Sequence, residues 1–176
     1  DFSLPFHTNR GARFLMQNSQ YFVDIIKQHE ALIYKITRVY ADTREDEQDL
    51  YQEIVYQLWK SFPSFRKESK VSTWMYRVAL NTSIAYLNRE KRKGNLLPIH
   101  ETLFNKPDER DAVQEERIEI LYAHIKKLNT LEKGIILLWL EGKNYEEIAA
   151  ITGFSSTNVG TRLGRIREKL STSINQ

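Results

Sequence analysis

The chain of 176 residues carries 26 Lys and Arg against 23 Asp and Glu, a formal net charge of +3, with 41% hydrophobic residues, 28% charged residues and no cysteine. That balance fits a folded soluble chain of one domain or two small ones, and it excludes disulfides, thiolate metal sites and cysteine nucleophiles. The longest apolar run, Ile135 to Leu140, has six residues against the roughly 20 that span a bilayer, so a soluble intracellular protein without membrane insertion is expected. The seven glycines permit neither a G-x-G-x-x-G nor a Walker loop, no G-x-S-x-G elbow or H-E-x-x-H occurs, and the four histidines stand isolated. A protein that is not an enzyme, with no cofactor and no metal, is the expectation.

Only Pro5, Pro63, Pro98 and Pro107 interrupt the backbone, and apolar residues recur at helical spacing, so the predicted fold is all-α. Residues 1–19 read as an N-terminal extension, with Met16 a possible natural start. Residues 20–95 read as a helical domain. Within it Leu50, Ile54 and Leu58 form one apolar stripe, and Tyr51, Val55 and Trp59 form a second beside it. Residues 42–53 hold six acids and one base, and Asp49, Gln52 and Glu53 project on a polar strip. Asp49 and Glu53 lack the further carboxylate–histidine pair that a shared metal needs, so the strip is read as an acidic docking face for a basic partner.

Residues 66–93 reverse the charge, with eight bases against two acids, and Phe62, Phe65, Trp74, Tyr76 and Tyr86 are interleaved with them. Aromatic faces in a cationic groove are what single-stranded nucleic acid requires, since bases stack while phosphates are neutralised. Core packing is the other reading of Trp74, which shares a face with Val71, Val78 and Ala85. Asn81 stands one turn from Arg77, where it can read an exposed base edge.

Residues 96–116 contain two prolines and little periodicity, and read as an acidic linker; residues 100–119 hold seven acids and three bases. Residues 117–172 form the second domain. Ile118, Leu121, Tyr122, Ile125 and Leu128 open it with helical spacing, and residues 144–170 then read as a helix-turn-helix. Asn144 caps a short helix with Tyr145, Ile148 and Ala149 turned inward. Gly153 supplies the positive φ of the turn, Phe154 plugs the corner and Ser155 caps the next helix. Val159, Leu163, Ile166 and Leu170 form its core stripe, leaving Ser156, Thr157, Asn158, Thr161, Arg162 and Arg165 for a major groove. Gly160 and Gly164 permit close backbone approach to DNA or protein, or are simply tolerated in a packed helix; both readings stand. Domains this small are marginal alone.

Together these segments resemble one family, the bacterial sigma-70 factors, specifically the extracytoplasmic-function (ECF) group. DLYQEIVYQLWKSFPSF is similar to the D-L-x-Q-E segment of sigma region 2, and STWMYRVALNTSIAYLNREKRK to its T-W-L-x-x-I-A-x-N segment. SSTNVGTRLGRIREKL resembles the recognition helix of region 4. The resemblance implies region 2 over residues 20–95 and region 4 over 117–172, and a factor that binds core RNA polymerase, directs it to promoters and helps open the DNA. It implies that Asp49, Gln52 and Glu53 dock on the coiled coil of the largest polymerase subunit, with region 4 meeting the flap. Phe65, Lys70, Trp74, Arg77 and Asn81 then capture the non-template strand of the minus-10 element. Ser156, Thr157, Asn158, Thr161, Arg162 and Arg165 read the duplex minus-35 element. The acidic linker threads the polymerase cleft near the RNA exit path. A cytoplasmic location, an anti-sigma factor and, given the two glycines where the family has larger residues, another recruiting protein are further expectations.

Two other readings compete. A helix-turn-helix regulator independent of polymerase accounts for residues 144–170 but not for the aromatic–basic segment. An adaptor that occupies polymerase or an anti-sigma factor without initiating transcription shares the docking face.

Overall fold

A computed structural model describes residues 9–65, 69–92 and 112–175, with side chains from residue 19 onward in the first stretch and from 114 in the last. Eight helices and one 3-10 turn make up the regular structure of those residues, in agreement with the all-α expectation. The N-terminal half contains α1 (Asn9–Gln28), α2 (Glu30–Tyr40), α3 (Arg44–Ser61), the 3-10 turn Phe62–Ser64 and α4 (Val71–Arg92). The C-terminal half contains α5 (Ala112–Lys126), α6 (Thr130–Leu140), α7 (Tyr145–Thr152) and α8 (Ser156–Ile174). Helix α1 begins inside the segment read as an extension, and α5 takes up the last residues of the segment read as linker; the remainder of that linker lies outside the described residues. No described helix is long and apolar enough to cross a membrane.

Local sequence sets the helix ends. Thr43 and Asp46 form a reciprocal capping box at the start of α3, as do Asn129 and Glu132 at α6 and Asn144 and Glu147 at α7. Each satisfies amide groups that have no intrahelical acceptor. Pro63 ends α3 in the 3-10 turn. Gly142 and Gly153, at φ 75° and 81°, take the chain out of α6 and α7 through a conformation that disfavours any side chain with a Cβ.

Two predicted stripes lie in the core, whereas Trp59 of the second α3 stripe is 46% exposed, and of the α5 stripe only Ile125 is fully buried while Ile118 is 40% exposed. Leu50, Ile54 and Leu58 are fully buried among Ile33, Ile36, Met75 and Ala79; Val159, Leu163, Ile166 and Leu170 are buried beside Ile125, Ile148 and Ile151. These are one continuous cluster rather than two. The halves join where α6 lies against α2 and α4. A Cβ placed on Gly134 would sit 3.0 Å from the Tyr40 hydroxyl oxygen and 3.3 Å from Leu80 Cδ2, so a side chain here would have to push these neighbours back. The Tyr40 hydroxyl donates to the Thr130 carbonyl at 2.8 Å, which satisfies a buried phenol across the seam. Each half alone is too small to bury much of its apolar surface, and packing them together removes that deficit.

Lys133 is drawn into the same seam and is only 9% exposed, its ammonium 5.9 Å from the Tyr40 ring centroid. Burial pushes its pKa below the ordinary 10.5; Asp42 offsets this in part, while Lys126 and Lys91 add repulsion. Between the lowered value and 10.5 the unfolded chain binds more protons, so this residue makes stability rise with pH across that window. Lys133→Met is expected to raise the melting temperature by about 2–4 °C, the shift that ~1 kcal/mol produces in a chain of this size. It should also flatten the alkaline rise, both read from thermal denaturation at several pH values.

Candidate nucleic-acid interface

Three polar surfaces carry the sequence-predicted residues. The first follows α4. Trp74 is half-buried and packs against the core near Phe62, with centroids 6.1 Å apart, while Phe65 stacks on it at 4.9 Å and 30°. The indole is thus anchored against the core, as one reading expected, and also forms an aromatic pair with Phe65. Arg77 and Asn81 are exposed and stand three and seven residues beyond Trp74, on the same side of the helix. Lys70, exposed just before α4, has its ammonium 3.8 Å from the Glu147 carboxylate, and the Arg77 guanidinium donates to the Ala150 carbonyl at 2.5 Å. Ala85, assigned to the Trp74 face from sequence, is exposed, whereas Val71 and Val78 pack on the core. It lies 11 residues, about three helical turns, beyond Trp74 and so stays in line with it, one turn past the equally exposed Asn81.

The second surface is a shallow groove on α3 and α4 lined by Asp46, Asp49, Gln52, Glu53, Tyr86 and Arg89, among others. Asp49 and Gln52 are exposed, as the polar strip predicted. Glu53 is half-buried and paired: Arg89 donates to both its carboxylate oxygens, at 3.0 and 3.5 Å. Spacing along α3 alone could not reveal Arg89, which comes from the basic end of α4, 36 residues later. Deeper in the groove the Tyr86 hydroxyl donates to Asp46 at 2.9 Å. Burial opposes ionisation of Asp46, but hydrogen bonds from the Thr43 hydroxyl, the Tyr86 hydroxyl and the Thr43 amide outweigh it and hold its pKa below the usual range.

The third surface lies on α8. Thr157, Asn158, Thr161, Arg162 and Arg165 line one groove with Ser155 and Glu132, while Ser156 lies outside it. Ser155 caps α8 by accepting from the Asn158 amide, as predicted. Arg162 is held twice: its Nε donates to Asn158 Oδ1 at 2.6 Å, and its guanidinium carbon lies 4.6 Å from the Phe154 ring centroid. Phe154, expected only to plug the corner, is therefore also a platform for that arginine. Tyr145, predicted to face inward, is 42% exposed. Its ring lies over Gly160, where an added Cβ would sit 3.2 Å from Tyr145 Cε2, so this glycine makes room for an aromatic ring of the chain itself. Nothing lies within 4 Å of a Cβ placed on Gly164. Among the described residues no group of His, Cys, Asp or Glu is arranged to hold a metal ion.

Comparison with known proteins identifies two family regions in the chain. Residues 25–93 match the model of Sigma-70 region 2, and residues 118–170 that of Sigma-70 region 4. The ECF RNA polymerase sigma-E factor of Haemophilus influenzae is 30% identical over 147 residues, covering 75% of this chain and 76% of that protein. Its counterpart in Escherichia coli K12 is 30% identical over 141 residues, covering 73% and 74%. Two solved structures share the fold. CnrH in complex with the cytosolic domain of CnrY is 21% identical with a TM-score of 0.67, over 93% of this chain and 94% of that one. The Bartonella quintana sigma factor RpoE in complex with the anti-sigma factor NepR is 18% identical with a TM-score of 0.63, over 88% and 94%.

The two α8 glycines separate by their surroundings. Gly164→Ala should stabilise the chain by about 0.5–1 kcal/mol, the helical preference for alanine with no opposing contact. Gly160→Ala should gain less or lose, because the Tyr145 ring must move. Paired denaturant titrations measure the difference.

Proposed function

The chain belongs to the sigma-70 family, in its ECF group, and we propose the residues through which it acts. It is a non-enzymatic sigma factor that binds RNA polymerase and recognises promoters for transcription initiation. In our reading, Phe65, Lys70, Trp74, Arg77 and Asn81 receive the unpaired non-template strand of the minus-10 element. The observation that carries this is the aromatic pair Phe65–Trp74 beside exposed Arg77 and Asn81 on one side of α4. A stacked base gains about 1–3 kcal/mol on such a platform, an asparagine offers a donor and an acceptor to a base edge, and the cations meet phosphate. Binding unpaired bases in preference to paired ones draws the duplex toward the open state without any nucleotide hydrolysis.

Asp49, Gln52 and Glu53 form the face that meets a basic coiled coil of the largest polymerase subunit, and the C-terminal half meets the flap. Ser156, Thr157, Asn158, Thr161, Arg162 and Arg165 read the minus-35 duplex. For Arg162 the reading is sharper. With Nε engaged by Asn158 and the guanidinium over the Phe154 ring, the two terminal nitrogens are left to be offered as a fork, the geometry that recognises guanine O6 and N7. A factor of this kind works beside polymerase in the cytoplasm. Control by an anti-sigma factor belongs to the same proposal, supported by the complex in which the similarly folded RpoE is held.

Core polymerase from the same host, mixed with the protein and a promoter carrying a fluorescent base in the minus-10 region, tests the assignment. Opening and transcript should require both proteins. Trp74→Ala and Asn81→Ala should each reduce opening roughly tenfold, as expected from losing one stacked or hydrogen-bonded base, while polymerase binding persists. Polymerase binding with no opening on any promoter would make the protein an adaptor instead. Arg162→Lys should cost about 1–3 kcal/mol of discrimination at a single minus-35 base pair, measured by selection from a randomised element.

A further inference from the structure

Three ion pairs between the two halves of the chain share one polarity. Lys35 pairs with Glu141 at 2.6 Å, Arg38 pairs with Glu119, and Lys70 lies 3.8 Å from Glu147. In each of these the N-terminal half supplies the cation and the C-terminal half the anion. Arg77 extends the pattern with a hydrogen bond to the Ala150 carbonyl. That carbonyl is in the last turn of α7, where main-chain oxygens lack intrahelical amides and the helix dipole is negative. Helix α7 thus offers Lys70 and Arg77 a carboxylate and a free carbonyl, the same oxygen chemistry that a phosphate backbone offers.

We propose that α7 is an intramolecular competitor for the single-stranded DNA site, occupying Lys70 and Arg77 in the free chain and yielding them when the α4–α7 contact opens. The proposal rests on the assignment of those two residues to strand capture. Neither contact is strong by itself, for Lys70 is 79% exposed and such pairs are weak and screened by salt. Strength is not required. The apolar seam at Gly134, Tyr40 and Leu80 keeps α7 beside α4, so the competitor acts at high effective concentration. A strand arriving from solution must displace contacts that are already made.

The test is fluorescence anisotropy of a labelled mixed-sequence single-stranded DNA oligonucleotide titrated with the full chain at low salt. Glu147→Gln removes the charge that α7 presents to Lys70, and the glutamine keeps an acceptor for the Asn144 amide. This variant should bind about two- to fivefold tighter than the unaltered chain, the range that one exposed pair supplies. Adding Lys70→Gln should abolish the gain. Glu45→Gln, which removes an exposed acid of α3, should leave affinity almost unchanged and so controls for net charge. An unchanged affinity in Glu147→Gln, an equal gain in Glu45→Gln, or a gain that survives Lys70→Gln would each overturn the proposal. Promoter opening by polymerase carrying the Arg77→Gln chain separates the underlying assignment: normal opening removes the strand-capture role itself. Impaired opening with no gain in free Glu147→Gln removes only the competition.

Discussion

The arrangement depends on a close approach at Gly134. Helix α6 lies so close to α2 and α4 that a Cβ at residue 134 would press on Tyr40 and Leu80, and across this approach the Tyr40 hydroxyl finds its acceptor at Thr130. This contact merges two cores, each too small to be robust, into one. It also carries a cost, because the neighbouring Lys133 is drawn out of water with Asp42 as partial compensation. The capped starts of α7 and α8 and the turn at Gly153 follow from α6, and they set which helix meets the cationic side of α4.

The surfaces share a design in which polar groups are held before any partner arrives. Phe65 lies on Trp74, Arg89 grips Glu53, and Asn158 with Phe154 orients Arg162. Ordering long side chains in advance lowers the entropy that binding must otherwise overcome. The electrostatics divide between the two regions: region 2 contributes both an acidic groove and a cationic, aromatic helix, and region 4 the polar and basic face of α8.

Much of this was legible in the sequence because it is local. The stripes Leu50–Ile54–Leu58 and Val159–Leu163–Ile166–Leu170 follow helical spacing, and caps such as Asn144 and Ser155 act within three residues. What escaped is what joins distant segments. Arg89 reaches Glu53 across 36 positions, and Arg77 reaches Ala150 across 73. No periodicity encodes such pairings. Tyr145 misled for a related reason: an aromatic ring at the start of a short helix looks like core, but the ring lies over Gly160 at the surface. The two α8 glycines look equivalent in the sequence, and only their neighbours separate them.

The Arg89–Glu53 pair changes how docking on the acidic groove should be counted. Although α3 carries a run of acids, one of the carboxylates facing the groove already has a guanidinium on both its oxygens. An incoming basic helix would therefore exchange one cation for another at Glu53 rather than neutralise a bare charge. Arg89, once displaced, becomes a mobile positive group at the edge of the new contact, available to an acid of the partner. Association of this kind releases fewer bound ions than a tally of the acids implies, so its dependence on salt is shallower than the charge run along α3 would indicate.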